Sequence, residues 1–342
     1  MTVRRGDDYD RFDLSPVDVH RTVSLAAVQD AATHVYRAAI RTPLIRIDLS
    51  HSDSPLSELY LKLEALQPIG SFKIRGAYNL VRQLPPEVLA QGVWTVSAGN
   101  AAQGVALAAQ KAGARCSVLV MDTAPETKIR AIERLGASIV RASYDECWRA
   151  VIDHGSPRMT GHFVHPFDDD RFIAGNGTLA LEIVEDLPEV GAIVAPLGGG
   201  GLLSGIAAAV AGLRPATKIF AAEPETAAPL SASLAAGRAV YFDGWQPSFV
   251  DGAGGKSVLE TMWPLLRRVN GSLVVTLDEA AHAMKFVAER ARIIAEGAAG
   301  CAVAAALSGR AGTDKVVAVV SGGNIDLSRF AALVHACDTQ PL

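Results

Sequence analysis

The sequence predicts an α/β protein of two domains, with parallel sheets covered by helices. From about residue 60 onward, short runs of β-branched and aliphatic residues alternate with segments of helical spacing. This alternation is typical of βαβ units, whose strands lie parallel. It occurs as two series, one starting near residue 59 and the other near residue 162. Two domains leave a cleft between them, which is a common place for a cofactor.

The first series contains four predicted strands and three predicted helices. Ser71 can cap the first helix at its N-terminus, and the prolines at 85 and 86 end it. One face of this helix carries Ile74, Ala77, Val81 and Leu84. The second helix is expected over residues 100–112, and the third between Pro125 and Gly136. The strands are expected over residues 59–63, 93–96, 116–121 and 138–141.

The second series begins near His162 and contains strands over residues 192–197, 218–223, 273–277 and 315–320. Helices are expected over residues 178–186 and 202–213. Asp278 is expected to cap a long helix that reaches Glu296, where Gly297 ends it. Residues 1–18 show no such pattern and are predicted to form a mobile arm.

The composition excludes several classes of function. The 342 residues are 49% hydrophobic and 20% charged, as in a globular protein with a large core. A net charge of −4 offers no basic surface to a nucleic acid or an anionic membrane. The four cysteines are scattered, which predicts reduced thiols rather than disulfides or a metal site. No signal peptide and no apolar run of about 18 residues is found, so we expect a cytoplasmic protein.

Four consecutive glycines, Gly198, Gly199, Gly200 and Gly201, lie between a predicted strand and a predicted helix that begins at Leu202. Such a loop leaves backbone N–H groups unobstructed at a helix N-terminus, where they can bind a phosphate. A tight turn needs fewer glycines. A dinucleotide site is the alternative ligand class, since Glu223 follows 22 residues after Gly201, but it accounts for neither Lys73 nor Ser321.

Lys73 lies between Phe72 and Ile74 at the predicted start of a helix. Apolar surroundings and the positive end of a helix lower the pKa of a lysine, so this amine can act as a nucleophile toward an aldehyde. The alternative is an ordinary surface charge. Ser321 follows the last predicted strand, at the usual ligand side of an α/β sheet, where its hydroxyl can meet a ring nitrogen. A nucleophilic lysine, a phosphate loop and such a hydroxyl together describe a pyridoxal phosphate (PLP) site.

Nine segments in the order of this sequence resemble the fold-type II PLP enzymes, specifically the threonine/serine dehydratase and serine racemase family. The segments are Thr42–Leu44, Lys62–Glu64, Gly70–Ala77, Ser97–Gly104, His165–Asp169, Gly175–Thr178, Gly198–Leu202, Glu223-Pro224 and Ser321–Asn324. They span roughly residues 25–330. The resemblance implies a fold like that of the tryptophan synthase β-subunit, with the cofactor in the cleft between two domains. A large PLP-binding domain would comprise residues 1–62 and 165–342, and a small domain residues 63–164, with boundaries good to about ten residues.

The resemblance also implies a role for each site residue. Lys73 would carry the cofactor and act as the base at Cα, while Phe72 flanks the ring. Asn100 would bind the 3′-oxygen, the loop from Gly198 to Leu202 the phosphate, and Ser321 the ring nitrogen. The segment that would hold the substrate carboxylate comprises Ser97, Ala98, Gly99, Asn100 and Ala101.

The expected reaction is β-elimination from a small β-hydroxy-α-amino acid. A hydroxyl beside the ring nitrogen need not keep it protonated, so the ring is a weaker electron sink and elimination suits it better than a long-lived carbanion. The product would be a 2-oxo acid plus ammonia, from threonine, serine, 3-hydroxyaspartate or a similar substrate. A racemase or β-replacement enzyme is the alternative within PLP chemistry, and an amino-acid or nucleotide-binding protein the alternative outside it. Family members are frequently oligomers, so a homodimer or higher homo-oligomer is expected.

Three positions depart from the family pattern. Ala98 stands where racemases have the serine that acts as base on the face opposite the lysine, and Ala101 stands where histidine is usual. Pro229 stands where a second acid would join Glu223 in the family's cation site, so no metal ligand is predicted. Lys256 follows a Gly-containing loop and either pairs with an acidic substituent of the substrate or is solvated.

Overall fold

The computed structural model describes residues 20–50 and 52–339, so the predicted arm over residues 1–18 lies outside the described residues. The strands are β1 (Leu44–Ile47), β2 (Leu59–Lys62), β3 (Val93–Val96), β4 (Cys116–Met121), β5 (Ser138–Ala142), β6 (His162–Phe163), β7 (Ala192–Pro196), β8 (Lys218–Pro224), β9 (Gly271–Val275) and β10 (Val316–Val319). The helices are α1 (Leu25–Ala32), α2 (Lys73–Val81), α3 (Pro86–Gln91), α4 (Asn100–Lys111), α5 (Glu126–Glu133), α6 (Tyr144–Ile152), α7 (Asp170–Asp186), α8 (Gly201–Leu213), α9 (Pro229–Ala236), α10 (Trp263–Leu266), α11 (Leu277–Ala291), α12 (Gly297–Leu307) and α13 (Leu327–Thr339). None of these described helices is long and apolar enough to cross a membrane.

Two sheets organise the chain, and they confirm the predicted α/β class. The larger sheet has the strand order β1-β2-β10-β7-β8-β9, and the smaller has the order β5-β4-β3-β6. All pairs are parallel except β1 with β2. The sequence placed His162 at the start of the second series, but β6 pairs with β3 and completes the smaller sheet.

Helices cover both faces of the larger sheet and form its two cores. One core packs residues of α7 and α8 against β7 and β10, and the other packs α11 and α12 against the opposite face. Strands buried on both faces read as continuous apolar runs, as in Val316–Val319 and Ala192–Pro196. The smaller sheet is covered by α2 and α4 on one face and by α6 on the other.

Several helix limits differ from the sequence expectation. Helix α7 begins at Asp170 rather than at residue 178, because the side chain of Asp169 caps it by accepting from the N–H of Arg171. Helix α11 is capped by Thr276 rather than by Asp278, and it ends at Ala291. Residue 297 does not end that helix but begins α12, an apolar helix that the expectation missed.

The start of α2 is also different. Ser71 does not cap this helix; Phe72 holds the cap position, and the Ser71 hydroxyl is buried without a hydrogen-bond partner among the described residues. The backbone of Ser71 pairs instead with Gly322 in an isolated antiparallel bridge. Helix α2 stops at Val81, and Pro86 opens α3 rather than merely closing α2.

A buried ionic network anchors α2. The guanidinium of Arg75 makes paired bonds with Glu64 after β2, at 2.8 and 2.8 Å, and with Glu182 of α7, at 2.6 and 3.0 Å. The ammonium of Lys62 reaches Glu182 at 2.5 Å and the carbonyl of Thr42 at 2.6 Å. All four charged side chains are at most 1% exposed. The network therefore joins two positive and two negative charges away from water.

We expect Arg75→Met to lower the free energy of unfolding by about 3–5 kcal/mol, because it leaves two buried carboxylates without their main partner. Thermal and urea unfolding of the purified protein would measure the loss. Arg82→Met is the control, since Arg82 pairs at 2.6 Å with Asp30, whose side chain is 63% exposed, and also donates to Oδ1 of Asn79. An ion pair with one partner this exposed contributes about 0–1 kcal/mol. Equal losses in the two variants would contradict a special role for the buried network.

Candidate active site

The ends of two neighbouring parallel strands bring the predicted site together. Ser321 follows β10 and Gly198 follows β7, so both lie at the same edge of the larger sheet. The carbonyl of Ser321 accepts from the N–H of Phe72 at 3.0 Å. This bond and the Ser71–Gly322 bridge bring the first turn of α2, and with it Lys73, to the end of β10.

Lys73 is the first residue of α2, and its amine is desolvated. Its Nζ donates to the carbonyl of Pro166 at 2.7 Å and lies 5.3 and 5.4 Å from the ring centroids of Phe72 and Phe172. Burial lowers the pKa of Lys73 to about 8, although the negative charge of Glu296 opposes the shift. The neutral, nucleophilic amine is therefore a minor species at pH 7, but a far larger one than for an ordinary lysine.

The glycine loop presents free donors. None of the amide N–H groups from Gly198 to Leu203 donates a hydrogen bond to another described residue, and the last of them belong to the first turn of α8. Gly200 has φ +92°, and a Cβ on Gly199 would overlap the ring of Phe167. A row of free N–H groups at the N-terminus of a 13-residue helix matches a dianionic phosphate. Together with Lys73 and Ser321, the loop fits PLP.

The segment before α4 offers a second set of donors. The hydroxyl of Ser97 accepts from the N–H of Gly99 at 3.1 Å, which shapes the turn that leads into the helix. The N–H groups of Asn100, Ala101 and Ala102 have no partner among the described residues. A Cβ on Gly99 would meet nothing within 4 Å, so the space beside this glycine is open. No described hydrogen bond links Ser97, Ala98 or Ala101 to Lys73.

Two further residues complete the site, and the sequence reading assigned no role to either. Glu296 accepts from Nδ2 of Asn100 at 2.8 Å, and Asn324 donates to Oδ1 of Asn100 at 2.7 Å. Burial raises the pKa of Glu296 to about 7. A sequence signal exists for Glu296, because it is an acid directly before α12, whose 11 residues carry no charge.

The carboxylate of Glu223 is occupied by hydrogen-bond donors. Its Oε1 accepts from the N–H of Leu230 at 2.8 Å, and its Oε2 accepts from the N–H of Ser231 at 2.9 Å and the hydroxyl of Ser272 at 2.5 Å. Burial raises the pKa of this carboxyl group. Glu223 therefore satisfies the first turn of α9 rather than presenting free oxygen atoms to a cation.

Among the described residues, one group has metal-ligand spacing: His154, His165 and Asp168. Nδ1 of His165 accepts from the N–H groups of Phe167 and Asp168, at 3.3 and 2.7 Å, so Nε2 carries the hydrogen and faces the carbonyl of Val151 at 3.3 Å. Burial lowers the pKa of His165 to about 3, which keeps it neutral. Both ring nitrogens are committed, so this group is a structural cluster.

Lys256 is half-buried and lies close to two aromatic rings. Its Nζ lies 4.3 Å from the ring centroid of Tyr144 and 4.2 Å from that of Trp245. These are cation–π contacts, and they link α6 to the loop after α9. The ammonium of Lys128, on α5, pairs with Asp251 in the same region.

Comparison with known proteins identifies the family. The family model described as "Pyridoxal-phosphate dependent enzyme" matches residues 35–322. The chain is 38% identical over 317 residues to L-threonine ammonia-lyase of Thermotoga maritima, covering 92% of this chain and 78% of the relative. It is 35% identical over 321 residues to a catabolic L-threonine dehydratase of Staphylococcus aureus, covering 92% of each. The structure of maize serine racemase superimposes with a TM-score of 0.83 at 30% identity, covering 93% of this chain and 99% of that one.

These relatives confirm the resemblance seen in the sequence, the fold class, the cofactor and the predicted enzyme class, a PLP-dependent lyase of the dehydratase type. The chain belongs to the family of pyridoxal-phosphate dependent enzymes.

Proposed function

We propose that the protein eliminates water from a small neutral β-hydroxy-α-amino acid, with L-threonine as the first candidate and L-serine as the second. The observation that carries the proposal is the desolvated amine of Lys73 at the sheet edge where Ser321 and the free N–H groups of the glycine loop also lie. Two of the relatives are named for L-threonine. Breaking the Cα–H and Cβ–O bonds releases water and leaves an enamine, which hydrolyses to a 2-oxo acid and ammonia.

Each residue of the site has a separate role in this reaction. PLP, when bound, supplies the electron-withdrawing ring that acidifies the proton on Cα. Lys73 would hold the cofactor and then take that proton at its Nζ, and Phe72 would flank the ring. The N–H groups from Gly198 to Leu202 would hold the phosphate, Asn100 would donate to the 3′-oxygen, and Ser321 would face the ring nitrogen. The N–H groups of Ser97 and Gly99 already donate to the carbonyl of Leu119 and to the Ser97 hydroxyl, so those of Asn100 and Ala101 would hold the substrate carboxylate.

The charges around the site favour a neutral substrate over 3-hydroxyaspartate. Lys128 is paired with Asp251, and Lys256 lies between two aromatic rings. Either lysine would have to abandon these contacts to meet a second substrate carboxylate. Glu296 is a buried acid beside Asn100. In its ionised form it would repel the second carboxylate of a substrate such as 3-hydroxyaspartate.

Amino-acid racemisation is the second candidate, because a serine racemase shares the fold. Reversible proton exchange needs an acid–base group on each face of Cα. Ala98 offers none on the face where the family's racemases carry serine, so elimination is the favoured outcome.

We assign residues 1–62 and 165–342 to a large PLP-binding domain and residues 63–164 to a small one, in accord with the two sheets. We further propose a homodimer located in the cytoplasm, acting without a nucleic-acid or membrane partner.

Release of 2-oxo acid from a panel of β-hydroxy amino acids of both configurations tests the main proposal. We expect the highest kcat/KM with L-threonine or L-serine and a lower value with 3-hydroxyaspartate. Lys73→Ala should abolish turnover, since no other group takes the Cα proton. Lys111→Ala, at the exposed end of α4, is the control and should keep wild-type activity. No 2-oxo acid from any substrate with the PLP-loaded protein would contradict the proposal.

Ala98→Ser tests whether position 98 supplies the acid–base group on the face of Cα opposite Lys73. We expect a measurable gain, on the order of tenfold or more, in exchange of the Cα proton of L-serine and in formation of D-serine, because the variant regains an acid–base group. Chiral analysis of the amino acid and deuterium incorporation from D₂O would measure it. Ala102→Ser, one turn deeper in α4 and buried, provides the control for adding a hydroxyl. A rate of racemisation that stays at the wild-type level in Ala98→Ser would count against this reading of position 98.

Removal of divalent cations tests whether Glu223 accepts hydrogen bonds instead of binding a cation. We expect that EDTA, Mg²⁺ and Ca²⁺ each leave activity within about twofold and leave the melting temperature unchanged, because hydrogen-bond donors already occupy that carboxylate. Glu223→Gln should lower stability by about 1–3 kcal/mol, because the amide keeps only one of the two acceptor oxygens and turns its NH2 group toward a donor. A cation-dependent rise in melting temperature that Glu223→Gln abolishes would overturn the reading.

A further inference from the structure

The amide of Asn100 is held from two sides. Its Oδ1 accepts from Nδ2 of Asn324 at 2.7 Å, and its own Nδ2 donates to Oε1 of Glu296 at 2.8 Å. The other hydrogen of Asn324 Nδ2 goes to the backbone carbonyl of Ile69 at 2.8 Å. Because a backbone carbonyl can only accept, Asn324 must turn its nitrogen toward Ile69. That nitrogen also faces Asn100, which therefore turns its oxygen toward Asn324.

The other end of this chain of bonds is fixed by the backbone too. Glu296 holds the N-cap position of α12, and its N–H donates to the carbonyl of Gly322 at 3.0 Å. The backbone N–H of Asn324 lies close enough to this carboxylate to lower its pKa. A Cβ on Gly322 would come within 2.7 Å of Oε1 of Glu296, so only glycine leaves room for the acid there. Both partners of Asn100 are thus held by main-chain contacts.

We propose that Asn324 and Glu296 are positioning residues that hold the amide of Asn100 in one orientation and leave its second N–H for the cofactor's 3′-oxygen. The inference rests on the proposed function only for the contact between Asn100 and that oxygen. Among the described residues, the second hydrogen on Asn100 Nδ2 has no partner.

Rotation of this amide by 180° is unfavourable at both ends. The rotated oxygen would face an acid, and the rotated nitrogen would face the nitrogen of Asn324, which is a donor against a donor. Such mismatches in a desolvated site cost far more than in water. Asn324 and Glu296 therefore select the orientation in which Asn100 is a donor toward the cofactor, and without them the two orientations become comparable.

Asn324→Asp is the primary test, because it keeps the shape of the side chain and removes both N–H donors. We expect the affinity of the apo-protein for PLP to fall by about tenfold or more, as for loss of a hydrogen bond to a charged oxygen. The absorption spectrum of the bound cofactor should also change, since charge on the 3′-oxygen is less stabilised. Unchanged PLP affinity together with an unchanged spectrum would overturn the proposal.

Asn79→Asp is the matched control. Asn79 is 1% exposed, and its Nδ2 donates to the carbonyl of Arg171 at 2.7 Å, so the variant loses a donor of the same kind outside the site. We expect a lower melting temperature with PLP affinity within about twofold of wild type. A tenfold loss of affinity in Asn79→Asp would show that general destabilisation explains the result and would overturn the proposal.

A double-mutant cycle separates positioning from direct contact. If Asn324 acts through Asn100, Asn324→Asp should weaken PLP binding in the wild-type background and have almost no further effect in Asn100→Ala. Equal effects in the two backgrounds would overturn the proposal.

The Glu296 end supplies a second route should Asn324→Asp fail to fold. Glu296→Gln keeps an oxygen that accepts from Asn100 and should bind PLP within about threefold of wild type, whereas Glu296→Leu should lose about tenfold. Equal affinities in the two variants would contradict a directional role. All these measurements use cofactor binding without turnover, so a protein that binds PLP but releases no 2-oxo acid would refute the proposed function and leave this inference standing.

Discussion

The position of Lys73 depends on the buried charges around Arg75, two residues further along α2. Arg75 ties this helix to Glu64 after β2 and to Glu182 on α7, so three elements that are distant in sequence meet at one guanidinium. A buried charge that loses its partner costs several kcal/mol, so the four charges of the network tolerate little displacement. The first turn of α2 is therefore fixed against the larger sheet, and Lys73 is held at its edge before any cofactor arrives.

The electrostatics of the site follow from the same exclusion of water. Burial lowers the pKa of Lys73 to about 8 and raises the pKa of Glu296 to about 7, so the pKa values of an amine and an acid approach each other. Near neutral pH each group can therefore gain or lose a proton at low cost. A residue that accepts and returns a proton in each reaction cycle needs such a pKa. Asn100 and Asn324 oppose part of the shift, because both lower the pKa of Glu296 by hydrogen bonding.

The sequence predicted the features that depend on local pattern and missed those that depend on distant contacts. The glycine loop, Lys73 and the buried strands follow from composition and spacing. The structure has each predicted strand within a few residues of its expected limits, although β1 was not predicted. Glu296 was misread because an acid followed by glycine is typical of a helix end, whereas here the acid precedes a new helix and bonds to Asn100 from 196 residues away. The sequence predicted Ser71 as the N-cap of α2. Its backbone pairs instead with Gly322, a contact between distant residues that no local pattern predicts.

The segment after β8 shows how one substitution changes the use of a neighbouring acid. Proline at 229 fits the first turn of α9, where a missing N–H costs nothing, and it brings the N–H groups of Leu230 and Ser231 over the carboxylate of Glu223. These donors and the hydroxyl of Ser272 already satisfy both oxygens, so a cation would have to displace three hydrogen bonds to bind. Glu223 thus holds the start of α9 against β8 without a cation. Hydrogen bonds from the chain's own donors fix this segment instead.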